Sequence, residues 1–387
     1  MNFFNSQTKT IAIVGATGSQ GGATVKAFHA LKEAGNTEFK VRAITRDPNS
    51  DKAKAIEPFA EEIVKADADD LDSMVEAFKD CYGAYLVSDF WQDMDVDHEM
   101  QSLRNLLEAA KKAGVRHIVL STLESSKDFV NNAENKDTWK LPKGHEATGM
   151  YVPHFDSKAD VTKEFEDQGL PITKFLTSFY YENFIYFGMG PARQSDSDPY
   201  AITLPMADTK MPMIAVADIG KSACAIFQDE SLIGKTVGVQ SDLLTGPEIA
   251  DVFSKVCGQT VVFNAVPWDV YASFGFPGAE DLANMFRYKV ENAETFQKNR
   301  EVSDDFLEKM GGVTLLEEWV TANKSAFQLE GRQEKEEAQE KQEQAPVDSE
   351  GPRGECCTSC VISWNILVKI WKVDILTSVK NKILVFP

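Results

Sequence analysis

Cysteine is scarce in this chain of 387 residues, and the few that occur are unevenly spread. The six are Cys81, Cys224, Cys257, Cys356, Cys357 and Cys360. Small secreted scaffolds carry a denser set of cysteines at regular spacing, which this sequence does not have. We therefore expect reduced thiols and a location inside the cell, in the cytoplasm, with the nucleus as the alternative.

Long apolar runs are missing as well. No stretch of about 18 apolar residues, the length that a membrane-spanning helix requires, occurs in the sequence. The first residues, Met1 to Lys9, lack the basic region and apolar stretch of a signal peptide. We therefore predict a soluble protein with no transmembrane segment.

The sequence has fewer basic than acidic residues, and it lacks residue patterns typical of metal ligands. The chain has 40 Lys and Arg against 60 Asp and Glu, a formal net charge of -20, so a nucleic acid would be repelled and is not predicted as a direct partner. The histidines show neither paired helical spacing nor neighbouring cysteines, and no metal site is predicted. They are His29, His98, His117, His145 and His154.

What the first half does contain is a regular alternation of short β-branched runs and longer amphipathic stretches. Strands are predicted at 10–14, 39–45, 63–66, 84–88, 115–121 and 172–176. Helices are predicted at 21–32, 51–60, 71–78, 95–113 and 156–168. This alternation is typical of a parallel sheet with helices on both faces, so the fold class is α/β, a Rossmann-type doubly wound parallel sheet.

After about residue 178 the alternation fades, and a smaller C-terminal α/β lobe is predicted over 179–329. One of its helices begins at Thr245-Gly246-Pro247-Glu248, a capping-box spacing. Residues 330–353 are rich in Glu, Gln, Lys and Ala and are expected to form a charged linker. The tail, 354–387, holds three of the cysteines. It is interpreted as an appendage without a fold, with a lipid anchor or half of a metal site as alternatives.

A glycine-rich turn joins the first predicted strand to the first helix. It reads Gly15-Ala16-Thr17-Gly18-Ser19-Gln20-Gly21, with glycines three residues apart. Glycines at this spacing permit a tight turn and let backbone N–H groups approach a pyrophosphate at the positive end of the helix. The turn therefore predicts a dinucleotide site.

The second strand ends at Thr45-Arg46-Asp47, where an NAD-selective protein usually has a carboxylate for the ribose 2′-hydroxyl. Arg46 comes first, and a guanidinium suits the 2′-phosphate of NADP, so NADP(H) is the predicted cofactor. Asp47 is the counter-argument, because a strand that ended one residue later would bring a carboxylate to the ribose. Lys52 is expected to add positive potential, and Asp67 is a candidate partner for the adenine.

These motifs resemble those of the NmrA-like branch of the atypical short-chain dehydrogenases, and more closely those of the animal NmrA-like redox sensor proteins. The resemblance covers most of residues 8–329. Besides the glycine turn it is carried by Val41-Arg42 through Pro48, His154-Phe155-Asp156-Ser157-Lys158, Tyr181-Glu182-Asn183 and the block from Gly275 through Arg287. It implies a protein whose shape and binding to regulatory partners follow NADPH occupancy, in the cytoplasm and in transcriptional regulation in the nucleus. A homodimer is a further expectation, because aromatic-rich surface segments often pack against another protein.

The resemblance also implies a set of cofactor-binding residues. They are Gly15, Ala16, Thr17, Gly18, Ser19, Gln20, Gly21, Arg46, Lys52, Asp67, Ala68, Ser88, Asp89, Phe90, Lys158, Tyr180, Tyr181, Glu182 and Asn183. Two departures from the family pattern stand out: Asp89 occupies a place where an asparagine-like residue is expected, and the stretch from Lys127 to Pro153 looks like an insertion.

The catalytic tyrosine of short-chain reductases has no counterpart at its usual place. Those enzymes use a Tyr-x-x-x-Lys pair, whereas this chain has His154 four residues before Lys158. His154, Lys158 and Tyr181 are the catalytic candidates, with packing as the plainer role of the histidine. We therefore expect a redox sensor without efficient dehydrogenase activity. An NADPH-dependent reductase of quinone-like or other small carbonyl acceptors is the alternative, and a scaffold that holds NADP only for stability is a third reading.

Overall fold

A computed structural model of the chain describes residues 8–36, 38–193, 195, 198–327 and 329. Its strands are β1 (Lys9–Ile13), β2 (Phe39–Thr45), β3 (Glu62–Lys65), β4 (Gly83–Leu86), β5 (His117–Thr122), β6 (Ile172–Leu176), β7 (Phe179–Tyr180), β8 (Tyr200–Leu204), β9 (Met211–Ile214), β10 (Thr236–Gly238), β11 (Asp242–Leu244) and β12 (Val261–Ala265). The predicted linker, 330–353, and the predicted tail, 354–387, lie outside the described residues.

The α-helices alternate with these strands in the first half of the chain and dominate the second half. They are α1 (Ser19–Glu33), α2 (Asp51–Ile56), α3 (Leu71–Phe78), α4 (Val96–Lys112), α5 (Ser126–Asn132), α6 (Pro153–Glu166), α7 (Asn183–Tyr186), α8 (Val216–Phe227), α9 (Gly246–Cys257), α10 (Trp268–Ala272), α11 (Ala279–Glu291), α12 (Ala293–Lys298), α13 (Asp304–Met310) and α14 (Leu316–Ala322). Within the described part of the chain, none of the helices has both the length and the apolar character needed to cross a membrane.

Seven strands form one parallel sheet in the order β3-β2-β1-β4-β5-β6-β10. The order reverses between β1 and β4, which makes the carboxyl ends of these strands the switch point where such sheets bind ligands. The doubly wound fold predicted from the sequence is confirmed, and the six predicted strands are all present. Their bounds differ from the prediction by two residues at most.

Both faces of this sheet are buried, because the crossover helices cover them. Ile11 and Ile13 of β1 pack on the side that includes Phe28 of α1 and Ile219 of α8. Ala12 and Val14 point to the opposite side, where helices α3, α4 and α6 supply the core. The alternation of side chains along β1 therefore contributes to two separate cores.

The chain returns to the first sheet after it has entered the smaller lobe. Helix α8 packs along α1, and β10 pairs with β6 as the last strand of the seven-stranded sheet. The predicted division at residue 178 did not anticipate this return, because β10 has only three residues and gives little sequence signal. The smaller lobe has its own core and two short sheets, β11-β9-β7 and β12-β8. Its helix α9 begins with the predicted capping box at Thr245 and Glu248.

Helix α6 begins three residues earlier than predicted, at Pro153. Proline is well suited to the first helical position, because its fixed φ matches the helix and its missing N–H would have no partner there. The early start places His154 in the first turn of α6 and Lys158 one turn later. Residues four apart lie on the same face of a helix, so the two candidate side chains project from one face.

Candidate functional site

The glycine turn predicted from the sequence connects β1 to α1. Gly15 has a φ of +63°, a backbone conformation that side-chain-bearing residues rarely adopt, and its carbonyl oxygen accepts a hydrogen bond of 2.8 Å from the N–H of Gly18. A Cβ atom at position 21 would lie only 2.2 Å from that carbonyl oxygen. The turn can therefore close only if residue 21 is glycine.

The N-terminus of α1 is open to an anion. Gly18 is the N-cap, no side chain caps the helix, and the first turn holds no acidic residue. By contrast, α3 and α4 are capped by the carboxylates of Asp70 and Asp95. The first-turn N–H groups of α1 and the positive end of its dipole therefore face outward without a protein carboxylate, which fits a bound pyrophosphate.

Gln20, in the first turn of α1, is held by two tyrosines. Its side-chain oxygen accepts from the hydroxyl of Tyr85, and its side-chain N–H donates to the hydroxyl of Tyr180 over 2.6 Å. Burial raises the pKa of Tyr180 to about 12 and that of Tyr85 well above its usual range, so both phenols stay protonated. Because its carboxamide is engaged, Gln20 can offer a ligand only its backbone.

Arg46 lies directly after β2 and is exposed. Its guanidinium donates to the side-chain oxygen of Gln92 over 2.9 Å, and no carboxylate of the described residues pairs with it. The adjacent carboxylate of Asp47 accepts from the N–H of Asn49 over 2.9 Å in the turn that leads to α2. The positive charge is therefore free for a phosphate while Asp47 serves the turn. Lys52, also predicted here, is exposed on α2.

Residues 67 to 70 follow β3 and adopt distinct local roles. Asp67 accepts from the N–H of Asp69 over 3.2 Å, and the carbonyl of Ala68 accepts from Asn105 over 2.8 Å. Asp70 caps α3, as the sequence suggested, by accepting from the N–H of Ser73. Asp67 is half-buried at the carboxyl edge of the sheet, the position predicted for an adenine contact.

The loop after β4 carries Ser88, Asp89 and Phe90. Asp89 accepts from the N–H of Trp91 and so begins a short 3-10 turn. Phe90 is buried, and its ring centroid lies 5.9 Å from that of His154. The loop after β4 therefore packs against the first turn of α6 through Phe90 and His154. These two regions were predicted separately from the sequence.

Lys158 is buried and forms an ion pair that sequence reasoning missed. Its ammonium donates to the carboxylate of Glu99 in α4. The hydroxyl groups of Ser157 and of Ser88, the latter at 3.0 Å, donate to the same carboxylate. A sequence signal was present: Glu99 falls in the buried stripe of α4 that includes Leu103, and a carboxylate there needs partners.

His154 forms a second buried pair, with Asp281 of α11. Its Nδ1 lies 2.7 and 2.8 Å from the two carboxylate oxygens. Since a carboxylate only accepts, Nδ1 carries the hydrogen. Among the described residues, Nε2 has no hydrogen-bond partner, and the ring of Trp91 lies 4.9 Å from the imidazole ring, centroid to centroid. The block that contains Asp281 was singled out in the sequence, but this contact was not foreseen.

The last predicted group, Tyr181, Glu182 and Asn183, belongs to the smaller lobe. The hydroxyl of Tyr181 donates to Asp242 over 2.9 Å and its ring is fully buried, so these contacts give it a packing role. Glu182 accepts from the N–H of Val216 and the indole N–H of Trp319. Asn183 begins α7. Tyr180, directly before this group, hydrogen-bonds to the glycine turn at Gln20.

Asp156, between His154 and Lys158, ties a long segment to α6. Its carboxylate accepts from the N–H of Ser126 over 2.7 Å and from the N–H of Val152 over 3.2 Å. These two residues are the ends of segment 126–152, most of the insertion-like stretch seen in the sequence. Burial raises the pKa of Asp156, and four hydrogen bonds to the carboxylate oppose that shift. Helix α6 therefore carries the candidates His154 and Lys158 and, through Asp156, also holds the two ends of this segment.

Comparison with known proteins identifies relatives of most of the described region. A sequence model of the NmrA-like family matches residues 7–323. The NmrA-like family domain-containing oxidoreductase FrzB of Cladobotryum sp is 26% identical over 300 residues, which are 73% of this chain and 84% of FrzB.

Solved structures share the fold. NmrA, a negative transcriptional regulator, has a TM-score of 0.63 in its complex with NAD, with 19% identity and coverage of 86% of this chain and 98% of NmrA, and a complex of NmrA with NADP is also known. The NADPH complex of the quinone oxidoreductase QOR2 of Escherichia coli has a TM-score of 0.59, with 20% identity, and covers 82% of this chain and 99% of QOR2. At these identities the likeness establishes the fold alone.

Proposed function

The chain belongs to the NmrA-like family, and on that premise we propose that it binds NADP(H) at the carboxyl ends of β1, β2 and β4 and acts as a redox sensor. The observation that carries the proposal is the uncapped N-terminus of α1, closed by Gly15 and Gly21, with the unpaired guanidinium of Arg46 after the neighbouring strand. A pyrophosphate and a 2′-phosphate are the groups that such donors accept.

We assign each group a part of the cofactor. The first turn of α1 would hold the pyrophosphate, Arg46 and Lys52 the 2′-phosphate, and Asp67 the adenine amino group. Lys158, with Ser88 beside it, is the candidate for the nicotinamide ribose. The bound nicotinamide would supply hydride chemistry, and these residues bind and orient it.

Sensing would work through α6. Any movement of Lys158 toward a ribose must disturb its pair with Glu99, and Asp156, two residues earlier, holds both ends of segment 126–152. A cofactor that binds one arrangement of α6 more tightly than another would shift the position of this segment. We propose that a regulatory protein partner, or a second copy of the chain, reads that surface in the cytoplasm or the nucleus.

Efficient carbonyl reduction is not part of this proposal. A reductase of the related class needs a phenol one helical turn before the lysine, and position 154 holds a histidine paired with Asp281. Tyr180 has a raised pKa and hydrogen-bonds to Gln20, so it cannot readily take over. The arrangement favours retention of the cofactor over turnover.

A reductase of quinone-like acceptors is the second candidate. It is favoured by Nε2 of His154, which has no hydrogen-bond partner among the described residues, and by the names of the relatives FrzB and QOR2. NADPH consumption with a soluble quinone decides between the two functions. Quinone turnover that disappears in His154→Gln while NADPH still binds would establish the reductase. If the wild-type chain shows no quinone turnover, the sensor function is supported instead.

Calorimetric titration of the full chain with NADPH, and separately with NADH, tests the cofactor assignment. One charge-assisted contact is worth about 1.5–3 kcal/mol, so we expect a roughly 10- to 100-fold preference for NADPH that collapses in Arg46→Ala. Arg104→Ala is the matched control, because Arg104 pairs with Glu164 on the outer surface of α4 and α6. Equal binding of both cofactors by the wild-type chain would overturn the assignment.

A further inference from the structure

Arg46 follows β2, but the acceptor that holds its side chain comes from the loop after β4. Nη1 of the guanidinium donates to the side-chain oxygen of Gln92 over 2.9 Å, and this is the one hydrogen bond of the Arg46 side chain within the described residues. A carboxamide oxygen is neutral, so it orients the guanidinium without cancelling its charge. The remaining guanidinium N–H groups stay available to a phosphate.

The backbone of Gln92 is held in place, although its side chain is exposed. Its N–H donates to the carbonyl of Asp89 over 3.3 Å in the short 3-10 turn. The two residues before it are anchored, because Phe90 is buried and the ring centroid of Trp91 lies 4.9 Å from that of His154. The side chain of Gln92 therefore starts from a fixed position, which limits where its oxygen can reach.

The carboxylates near this arginine are engaged elsewhere. Asp93, next to Gln92, and Asp69, in the loop after β3, both contact His98, whose Nε2 lies 3.0 Å from an oxygen of Asp69. Arg46 acts on Asp69 electrostatically but forms no ion pair with it. Gln92 is therefore the acceptor that sets the position of Arg46, and the two carboxylates are not.

A fixed arginine binds a phosphate more tightly than a free one. A long side chain that is disordered before binding must lose its freedom when the phosphate binds, and that loss lowers the affinity. A carboxylate at position 92 would also fix the arginine, but it would pair with the guanidinium and repel a phosphate. The neutral carboxamide avoids both losses.

We propose that Gln92 is a positioning residue that sets the preference for NADPH over NADH. The inference rests on the proposed NADP(H) function, and it assigns part of the cofactor selectivity to the loop after β4. The carboxamide holds Arg46 where the 2′-phosphate binds, so less ordering is needed on binding. NADH lacks the 2′-phosphate, so its affinity does not depend on Gln92.

Calorimetric titration of the full chain with NADPH, and separately with NADH, tests the proposal in Gln92→Leu and Gln92→Glu. The ordering of one long side chain corresponds to about 3- to 10-fold in affinity, so we expect Gln92→Leu to reduce the ratio of NADPH to NADH affinity by that factor. Gln92→Glu should reduce the ratio further, because its carboxylate repels the 2′-phosphate. The affinity for NADH should stay unchanged in both variants.

Gln168→Leu and Gln168→Glu are the matched controls. Gln168 is also exposed, its side-chain oxygen accepts from the ammonium of Lys111 over 2.8 Å, and it follows the end of α6 rather than the carboxyl end of a strand. Both controls should keep the NADPH preference of the wild type. In an Arg46→Ala background, Gln92→Leu should cause no further change, because the residue that it positions is absent.

The outcomes separate this inference from the cofactor assignment. A wild-type preference for NADPH that is unchanged or increased in Gln92→Leu would overturn the inference alone. Equal losses of NADPH and NADH affinity, or a further loss in the Arg46→Ala background, would also overturn it, because Gln92 would then act on the loop or on the cofactor directly. If the wild-type chain binds both cofactors equally, the assignment of NADP(H) fails and the inference fails with it.

Discussion

Nδ1 of His154 lies 2.7 Å from a carboxylate oxygen of Asp281, and this contact joins the first turn of α6 to α11 in the smaller lobe. Both side chains are buried, so the pair fixes the ring hydrogen on Nδ1 and the orientation of the imidazole. The helix that carries Lys158 is thereby anchored to the second lobe. Movements of α6 and of the smaller lobe are expected to be coupled.

Loss of this contact should weaken the fold. A buried hydrogen bond to a charged group contributes about 1.5–3 kcal/mol, so we expect Asp281→Asn to lower the free energy of unfolding in urea by that amount. Asp251→Asn is the matched control, because Asp251 is exposed on α9. An equal effect of the two substitutions would show that the pair contributes nothing beyond a surface charge.

Gly21→Ala tests the closure of the glycine turn. The new methyl group would lie 2.2 Å from the carbonyl oxygen of Gly15, so the turn must open. Forced overpacking of this kind costs about 1–3 kcal/mol, and we expect a lower melting temperature together with loss of NADPH binding in calorimetry. Glu33→Ala, at an exposed position at the other end of α1, should retain both. Unchanged NADPH affinity in Gly21→Ala would contradict the assigned pyrophosphate site.

The buried pair of Glu99 and Lys158 should show strong energetic coupling. Glu99→Gln leaves a buried ammonium without a counter-ion, which costs about 3–5 kcal/mol, whereas Glu99→Gln combined with Lys158→Met should cost less than the sum of the two single substitutions. Chemical denaturation of the four proteins measures the coupling. The exposed pair of Arg104 and Glu164 gives the reference, with less than about 1 kcal/mol expected. Additive effects at Glu99 and Lys158 would show that the pair does not form in solution.

His117 should make the stability of the protein depend on pH below about 6.5. Burial lowers the pKa of this histidine from 6.5 to about 4, so the folded state prefers the neutral ring. As the pH falls from about 6.5 to 4, the unfolded chain binds a proton that the folded chain does not, and stability is lost, on the order of 3 kcal/mol over that window.

His117→Gln removes this proton while keeping a side chain that can reach the hydroxyl of Thr173, 2.9 Å from Nε2 in the native protein. Its free energy of unfolding should therefore decline less between pH 6.5 and 4 than that of the wild type. Parallel curves for the two proteins would exclude His117 as the source of the acid sensitivity.

The sequence predicted the elements that depend on local signals. The strand, turn and helix around Gly15 and Gly21 follow from short-range periodicity and glycine spacing, and so does the seven-stranded architecture apart from β10. The capping box at Thr245 is equally local. In each case neighbouring residues determine the backbone, so a single sequence suffices.

The partners of the candidate site were not predictable in the same way. Glu99 lies 59 positions before Lys158, and Asp281 lies 127 positions after His154. Nothing in the local pattern specifies which distant residue a buried polar group will contact. The polar residue in the apolar stripe of α4 showed only that Glu99 needed a partner, and tertiary packing determined that the partner is Lys158.

Hydrogen–deuterium exchange of the full chain with and without saturating NADPH tests the sensor most directly. We expect slower exchange in the glycine turn, residues 15–21, and also in segment 126–152, because Asp156 links that segment to the helix that carries Lys158. Protection of the turn alone, with segment 126–152 unchanged, would contradict the sensor and leave a protein that only holds the cofactor.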